Sequence, residues 1–409
     1  MDLLVTRTNI FVYIVCRQQM KIVMSELDKP IKPDQMTDPY GFYRYLRDHE
    51  PVSTMDGGPW QVARHEDVHR ILKDHKTFSS DVSMRPEEER QPSMLFSDPP
   101  FHNRMRKLVS YAFKPSHIEA QRGVVETRCA ELIEDMKKLG SVNLVDALAS
   151  PLPVNIIAHM LGVIDGDMNA FKHWSDTIFS NIGDILFGET SPEAEKCARE
   201  MDTYFLERIA ELRVKPVDHL LGRLIQTETE DGKLTDEELL SFCRLLLIAG
   251  NETTTGLITA SVRIFDEFPE TVQQLRDKPE LVPTFVEEAL RYYSPFAATI
   301  RKTTCDVNIG GVDVASGSLM IPLIASANRD ERVFKNPESF VINRDPNPHL
   351  ALGFGIHFCL GAHLARLEGQ IAVEQLVRNF STISLSAAMD DGEGSGLGGP
   401  KEMMVDLVV

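Results

Sequence analysis

The chain has 409 residues, 43% apolar and 25% charged, which is enough to bury a large core and excludes a disordered, fibrous or collagenous protein. Its formal charge of −18 argues against nucleic acid as a partner, since phosphates demand a basic surface. Six cysteines, at 16, 129, 197, 243, 305 and 359, include no C-x-x-C pair. That is the usage of free thiols in a reducing compartment, and a cytoplasmic location is expected.

The first apolar run, "NIFVYIVC" (Asn9 to Cys16), is far shorter than the roughly 20 residues of a membrane span, and no small-residue cleavage site follows it. No transmembrane segment is expected. Residues 1–29 read as an N-terminal extension, with Met24 opening the lead-in "MSELDKPIKPDQMTDP", and residues 30–409 as one large domain without repeats or a long linker. Two strand-like runs, "PVSTM" and "PWQVAR", interrupt helical stretches early on. Helices are then predicted over Pro99 to Phe113, Ile118 to Leu139, Pro153 to Leu161, Met168 to Ile185 and Glu193 to Arg213. Asp98 has the chemistry of an N-cap, with Pro99 at the first helical position.

Thr235 and Glu238 form a capping-box pattern, and the helical run they open continues to Pro269. At 1.5 Å per residue it is about 50 Å long, enough to cross a protein of this size. Its centre, "IAGNETTTG", carries two glycines and three threonines, poor helix formers that make this stretch prone to kink. Further on, "DVNIGGVDVASGSLMIPLI" reads as a hairpin, and "DDGEGSGLGGPK" as a glycine-rich turn between the late strands "STISLS" and "MMVDLVV". The whole is mainly α with small β-sheets.

Cys359 sits in "HLALGFGIHFCLGAHLARLE", just ahead of an amphipathic helix. Backbone N–H groups and the positive end of the helix dipole favour thiolate at such a position. Gly353, Gly355 and Gly361 clear side chains from both sides and let backbone or a flat ligand come close. A buried packing cysteine explains these facts equally well. A zinc site using His357, Cys359 and His363 is a third reading, short of a fourth ligand at suitable spacing.

Gly355, His357, Cys359 and Gly361 match the G-x-H-x-C-x-G core of the cytochrome P450 haem-binding loop, and the chain resembles a soluble bacterial member of that superfamily from about residue 30 onward. The resemblance implies one helix-rich haem domain with a minor β region, and Cys359 as the axial thiolate ligand of the iron in haem b, iron-protoporphyrin IX. Other motifs fall in the family's order. In "EEALR", Glu288 and Arg291 resemble the family's buried ion pair, completed by Arg344 in "FVINR". Read alone, such an i, i+3 pair is a solvated surface contact. "AGNETT" looks like the oxygen-binding groove, with Ala249 beside the iron and Glu252 and Thr253 as the acid and alcohol that relay protons to bound dioxygen. Threonines bonded back to helix carbonyls would account for the alcohol alone. In "DPPFHNRMRK", His102 and Arg106 lie one turn apart and resemble the haem-propionate donors, with Arg301 and His357 as further donors. Gly353, Phe354 and Gly361 complete the cofactor-contacting positions. The family's usual phenylalanine seven residues before the cysteine is Leu352 here, a change expected to alter the iron's potential rather than haem binding.

The implied activity is that of a monooxygenase, hydroxylating or epoxidising a hydrophobic small molecule with one atom of O2. No flavin or iron–sulfur motif and no reductase domain is visible, so electrons are expected from a separate ferredoxin or flavodoxin, docking where Arg104, Lys107 and Arg366 form a local basic patch. By family position the substrate pocket draws on Met84, Met94, Leu95, Phe96, a lid region from Ile178 to Leu186, Ile248, Phe296, Ala297, Ala298 and Leu397. These apolar residues are also ordinary core formers. A peroxide-driven peroxygenase and a non-enzymatic haem sensor are the rival readings, and the Glu252–Thr253 pair argues against both.

Overall fold

The computed structural model describes residues 39–54, 58–83, 92–163, 168–180, 191–230, 232–386 and 399–409. In chain order its helices are α1 (Pro39–His49), α2 (His65–Lys73), α3 (Phe101–Ser110), α4 (Pro115–Glu119), α5 (Arg122–Lys137), α6 (Pro151–Leu161), α7 (Met168–Ser180), α8 (Pro192–Val214), α9 (Leu220–Gln226), α10 (Asp236–Glu267), α11 (Glu270–Asp277), α12 (Val282–Tyr292), α13 (Ile324–Ala327) and α14 (Ala362–Asn379). The strands are β1 (Val52–Thr54), β2 (Trp60–Val62), β3 (Phe78–Ser79), β4 (Ser141–Asn143), β5 (Glu228–Thr229), β6 (Gly232–Lys233), β7 (Arg301–Thr303), β8 (Val307–Ile309), β9 (Val312–Val314), β10 (Leu319–Pro322), β11 (Thr382–Leu385) and β12 (Met404–Val408).

The larger sheet has five strands in the order β1-β2-β10-β7-β3. Only β2 and β10 run parallel in it, with Met320 opposite Trp60; the other neighbours are antiparallel. β7 is an inner strand, and alternation along it buries Arg301 and Thr303 while Lys302 turns the other way. The predicted hairpin forms as β8 and β9 around Gly310 and Gly311, both at positive φ as a tight two-residue turn requires. The rest of that stretch, Leu319–Pro322, leaves the hairpin and joins the larger sheet as β10. The late strands β11 and β12 pair antiparallel, and β12 also takes on β4, a strand too short to show a pattern in the sequence.

The central helix α10 starts at the capping box: Thr235 Oγ1 accepts the Glu238 N–H at 3.2 Å, and Glu238 Oε2 accepts the Thr235 N–H at 2.9 Å. It runs for 32 residues and does not break at its polar centre. The hydroxyls there are satisfied by carbonyls: Thr253 donates to Ala249 O at 2.7 Å, Thr259 to Thr255 O at 3.0 Å, and Thr255 to Ala149 O at 3.0 Å. Gly250 makes room rather than a hinge, since a Cβ there would stand 2.9 Å from Ile157 Cδ1 of α6. Leu239, Leu247, Leu257, Val262 and Phe265 of α10 lie in the main core with residues of α5, α6, α8, α12 and α14.

Two helix expectations need correction. The helix predicted over Ile118 to Leu139 is two, α4 and α5, separated at residues 120–121. α3 starts at Phe101, and Asp98 does not cap it through its side chain. Pro100 removes one of the two N–H groups a cap can bind, and the Asp98 carboxylate is taken instead by Ser79 Oγ and by the Ser80 N–H at 3.1 Å. The Met168 to Ile185 helix is described only to Ser180. Residues 1–29, Met84, Leu397, residues 181–186 of the expected lid and most of the glycine-rich tail turn lie outside the described residues.

Candidate active site

Cys359 hangs between a tight loop and the start of α14. Its N–H donates to Leu352 O at 2.8 Å, and Leu352 itself packs against the main core. The loop closes because Gly353 and Gly355 both adopt φ near +71°. At Gly355 a Cβ would lie 2.7 Å from Leu72 O, so this glycine lets the loop rest on the end of α2 rather than clearing space beside the sulfur. At Gly361 nothing stands within 4 Å of the Cβ position, which leaves that side open to a flat ligand. The sequence expectation of an acidic thiol does not hold for the protein alone. Burial pushes the Cys359 thiol up, outweighing the Gly361 N–H, Arg106 and Arg366, which all act the other way. Among the described residues no group of three or more His, Cys, Asp or Glu is placed to hold a metal, which removes the zinc reading through His357, Cys359 and His363.

Two arginines and two imidazoles meet beside this loop. α3 presents His102 and Arg106 on one face, the inner strand β7 supplies Arg301, and the loop supplies His357. The His102 and His357 rings are 4.2 Å apart between centroids, and the Nε2 atom of each is buried with no hydrogen-bond partner. Arg106 donates to Phe358 O at 2.7 Å, holding the residue before the cysteine. Arg301 is 8% exposed and donates to Ile300 O at 2.7 Å and to Thr299 Oγ1 at 3.2 Å. Burial first, then Arg301, His102, Arg106 and His75, depress the His357 imidazole to about 3. Burial likewise lowers Arg301 to about 10, offset in part by Asp98. A cluster of buried donors that repel one another calls for carboxylates, and a buried thiol can lose its proton only to a cation that takes its place. The two propionates and the iron of a haem answer both demands, so these residues fit that group.

On α10, Thr253 bonds back to Ala249 O as described, and Glu252 is half-buried beside it. Burial and then the nearby Asp176 raise the Glu252 carboxyl to about 7, with Lys172 opposing. That value lets one group both hold and release a proton near neutral pH.

Glu288 and Arg291 are fully buried and meet Arg344, whose side chain is 8% exposed. Arg291 grips both oxygens of Glu288 at 2.7 Å, and Arg344 Nε lies 3.0 Å from each. The Val341 N–H at 3.0 Å and Asn347 Nδ2 at 3.3 Å complete the shell. Arg291 also donates to the carbonyls of Asn328, Pro337 and Ser339, stitching α12 to the chain that leads into the cysteine loop.

The expected basic patch does not exist as unpaired charge. Arg104 bonds Glu238 at 2.5 Å, Lys107 bonds Glu230 at 2.6 Å, and Arg366 forks onto Glu287 at 2.7 and 2.8 Å. Of the pocket candidates, Met94 and Ile178 are buried in the main core and Ile248 packs against it. Phe296 packs on the larger-sheet cluster and Ala297 and Ala298 on a third cluster, while Leu95 is 37% exposed and Phe96 half-buried. Several residues in and around the site escaped the sequence reading. Asn251 is fully buried, and so is Ser175 of α7, whose hydroxyl accepts from it at 3.0 Å. Glu368 is buried against Thr254 with its Oε1 unpartnered. A signal existed for Glu368, which lies one turn after Leu364 on the buried stripe of α14.

The sequence model of the Cytochrome P450 family matches residues 47–390. Cytochrome P450 109 of Bacillus spizizenii is 38% identical over 361 residues, covering 85% of this chain and 86% of its own. The 6-deoxyerythronolide B hydroxylase of Saccharopolyspora erythraea is 34% identical over 375 residues, covering 87% and 91%. Among solved structures, CYP109E1 from Bacillus megaterium in complex with testosterone superposes with a TM-score of 0.83 at 35% identity, covering 91% of this chain and all of that one. The cytochrome P450 PksS of the Bacillus subtilis bacillaene polyketide synthase gives 0.86 at 32% identity, covering 94% and all. The fold and the site together define a haem-thiolate oxygenase. The chain belongs to the cytochrome P450 family, and it is a monooxygenase that takes a small-molecule substrate, O2 and electrons from a redox partner. Among the described residues no helix is long and apolar enough to cross a membrane.

Proposed function

We propose that this monooxygenase hydroxylates or epoxidises a hydrophobic small molecule with protons delivered through Glu252 and Thr253 and electrons delivered by a separate ferredoxin or flavodoxin. The observation that carries the reading is the acid beside the alcohol on α10, with Glu252 raised to about 7 and Thr253 anchored to Ala249 O at 2.7 Å. A peroxide-driven enzyme would have no use for such a relay. Haem b held by Cys359 supplies the oxygen activation when bound. His102, Arg106, Arg301 and His357 would hold its propionates, and Ala249, Gly353, Phe354 and Gly361 would contact it. Glu288, Arg291 and Arg344 hold the frame of the loop. Thr253, whose hydroxyl donates to Ala249 O, keeps its oxygen lone pairs free to accept a hydrogen bond from a water that Glu252 protonates, and Glu252 regains its proton from solvent.

The substrate pocket in this reading draws on Met84, Met94, Leu95, Phe96, Ile178, Ile248, Phe296, Ala297, Ala298 and Leu397, whose apolar surface favours an apolar substrate. Residues 30–409 form the haem domain. Free cysteines at 129, 197, 243, 305 and 359 favour a reducing, cytoplasmic setting.

The test is Thr253→Ala in the haem-loaded enzyme. Substrate binding, read by the haem spectral shift, stays as in the parent, while reducing equivalents are diverted from product to hydrogen peroxide. Unchanged coupling would remove the relay. Retention of the thiolate-haem carbon monoxide band in Cys359→Ser would remove the ligand assignment.

A further inference from the structure

Asn251 precedes the relay acid and has no evident task in the sequence, yet it is completely buried. Its Nδ2 donates to Ser175 Oγ of α7 at 3.0 Å, a hydroxyl that is itself inaccessible. The same nitrogen stands 3.4 Å from Glu252 Oε1, and the Asn251 Oδ1 is buried without a partner. Burying an amide between two helices with one acceptor unsatisfied costs stability that an apolar residue would not, so packing alone is a poor account of it.

We propose that Asn251 is a positioning residue of the proton relay, tying the Glu252 carboxyl to Ser175 so that the seating of α7 governs how the acid is presented. This rests on the reading of Glu252 as the relay acid.

The surroundings support an arrangement built around that carboxyl. Asp176 follows Ser175 on α7 and is the charged neighbour that most raises Glu252. Lys172, one turn earlier on the same helix, could neutralise it, but Lys172 Nζ reaches Asp146 at 3.2 Å instead. Asp176 is itself raised by burial, with Lys172 and His173 opposing and Asp146 adding to the rise. α7 therefore brings Glu252 a neutral tether through Ser175 and Asn251 and an acidic field through Asp176 that Lys172 offsets only in part. Because Ile178 lies half a turn further along the same helix, a substrate that shifts α7 would reach the acid through the Ser175 link.

The experiment uses the substrate-bound haem enzyme. The carboxyl stretching band of Glu252 is assigned by its loss in Glu252→Gln and titrated in the parent, Asn251→Ala, Ser175→Ala and Asp176→Asn. Loss of the Asn251 N–H removes a donor to the charged form, so its midpoint is expected to rise by about one pH unit. Ser175→Ala moves it partway in the same direction, Ser175→Thr restores it, and Asp176→Asn lowers it. Peroxide released per electron pair rises several-fold in Asn251→Ala, while haem content and the substrate spectral shift stay at parental values. A midpoint and a coupling ratio untouched by both Asn251→Ala and Ser175→Ala overturn the proposal; if Asn251→Ala does not fold, Ser175→Ala decides alone. Should Glu252→Gln couple as well as the parent while the midpoints still move, the relay reading falls and the positioning stands.

Discussion

Replacing Glu288 by glutamine tests how the loop is held. One carboxylate there receives five donor nitrogens: Arg291 Nε and Nη2, Arg344 Nε, the Val341 N–H and Asn347 Nδ2. The Glu288 and Arg291 side chains have no exposure and Arg344 has 8%, so water cannot take over. Glutamine keeps the volume but offers one acceptor oxygen, adds two donors and leaves two guanidinium charges without a counter-charge. Breaking a buried pair in this way costs about 3–5 kcal/mol. Against the roughly 5–15 kcal/mol that a domain has in total, the loss is a large fraction. Arg291 retains three carbonyls, those of Asn328, Pro337 and Ser339, so the helix persists while the 337–347 segment loosens. Denaturant unfolding followed by circular dichroism should show a lowered midpoint, and haem occupancy, read by the carbon monoxide band, should fall with it. Glu287→Gln, whose half-buried carboxylate meets Arg366 and also His349 Nε2 at 3.1 Å, is the comparison and should cost less than Glu288→Gln. Equal midpoints and equal haem content for Glu288→Gln and the parent would refute the reasoning.

Other outcomes follow from the same geometry. Burial raises the Glu368 carboxyl to about 8, with the Thr254 hydrogen bond opposing. The folded state then binds this proton more tightly than the unfolded chain, so stability is lost as pH rises from about 4.5 to about 8. Thermal unfolding of Glu368→Gln should lose that slope and exceed the parent at the alkaline end. Gly355→Ala meets both a positive φ and Leu72 O at 2.7 Å, whereas Gly353→Ala meets only the φ, its nearest neighbour lying at 3.5 Å. Haem occupancy should therefore fall much further in Gly355→Ala. His102→Leu and His357→Leu should each speed haem transfer to apomyoglobin, and the double variant should fall short of the product of the two effects, because the rings share one cluster.

What the sequence made legible is local. The capping box at Thr235, the His102–Arg106 spacing and the Glu288–Arg291 step are each set within four residues, and a helix turns such spacing directly into a shared face. The β8–β9 hairpin was equally readable from its glycine pair. The failures are of two kinds. The Asp98 cap was misjudged because Pro100 removes one of the two N–H groups a cap can bind and the carboxylate is taken instead by Ser79 and Ser80, about twenty residues back in the chain. The basic patch was misjudged because its acids come from afar: Glu238 lies 134 residues from Arg104, and Glu287 lies 79 from Arg366. Charge counted along a chain says nothing about partners that only the fold supplies.

The same blindness explains why the sequence could nominate polar residues for the site without sorting them. In the fold the buried polar residues around the site divide by whether the protein satisfies them. Glu288, Arg291 and Arg344 are saturated by one another and by backbone, which is the condition of a structural element. His102 Nε2, His357 Nε2, Asn251 Oδ1 and Glu368 Oε1 are buried without partners. An unpaired buried polar atom costs about 1–3 kcal/mol, so a chain keeps such atoms where something else recovers the cost. Two of them belong to the cationic cluster beside Cys359, and the other two flank α10 at Glu252 and Thr254. In the proposed reading the haem edge and the proton relay are where these four atoms would recover that cost, whereas the Glu288 carboxylate is already satisfied by the protein around it.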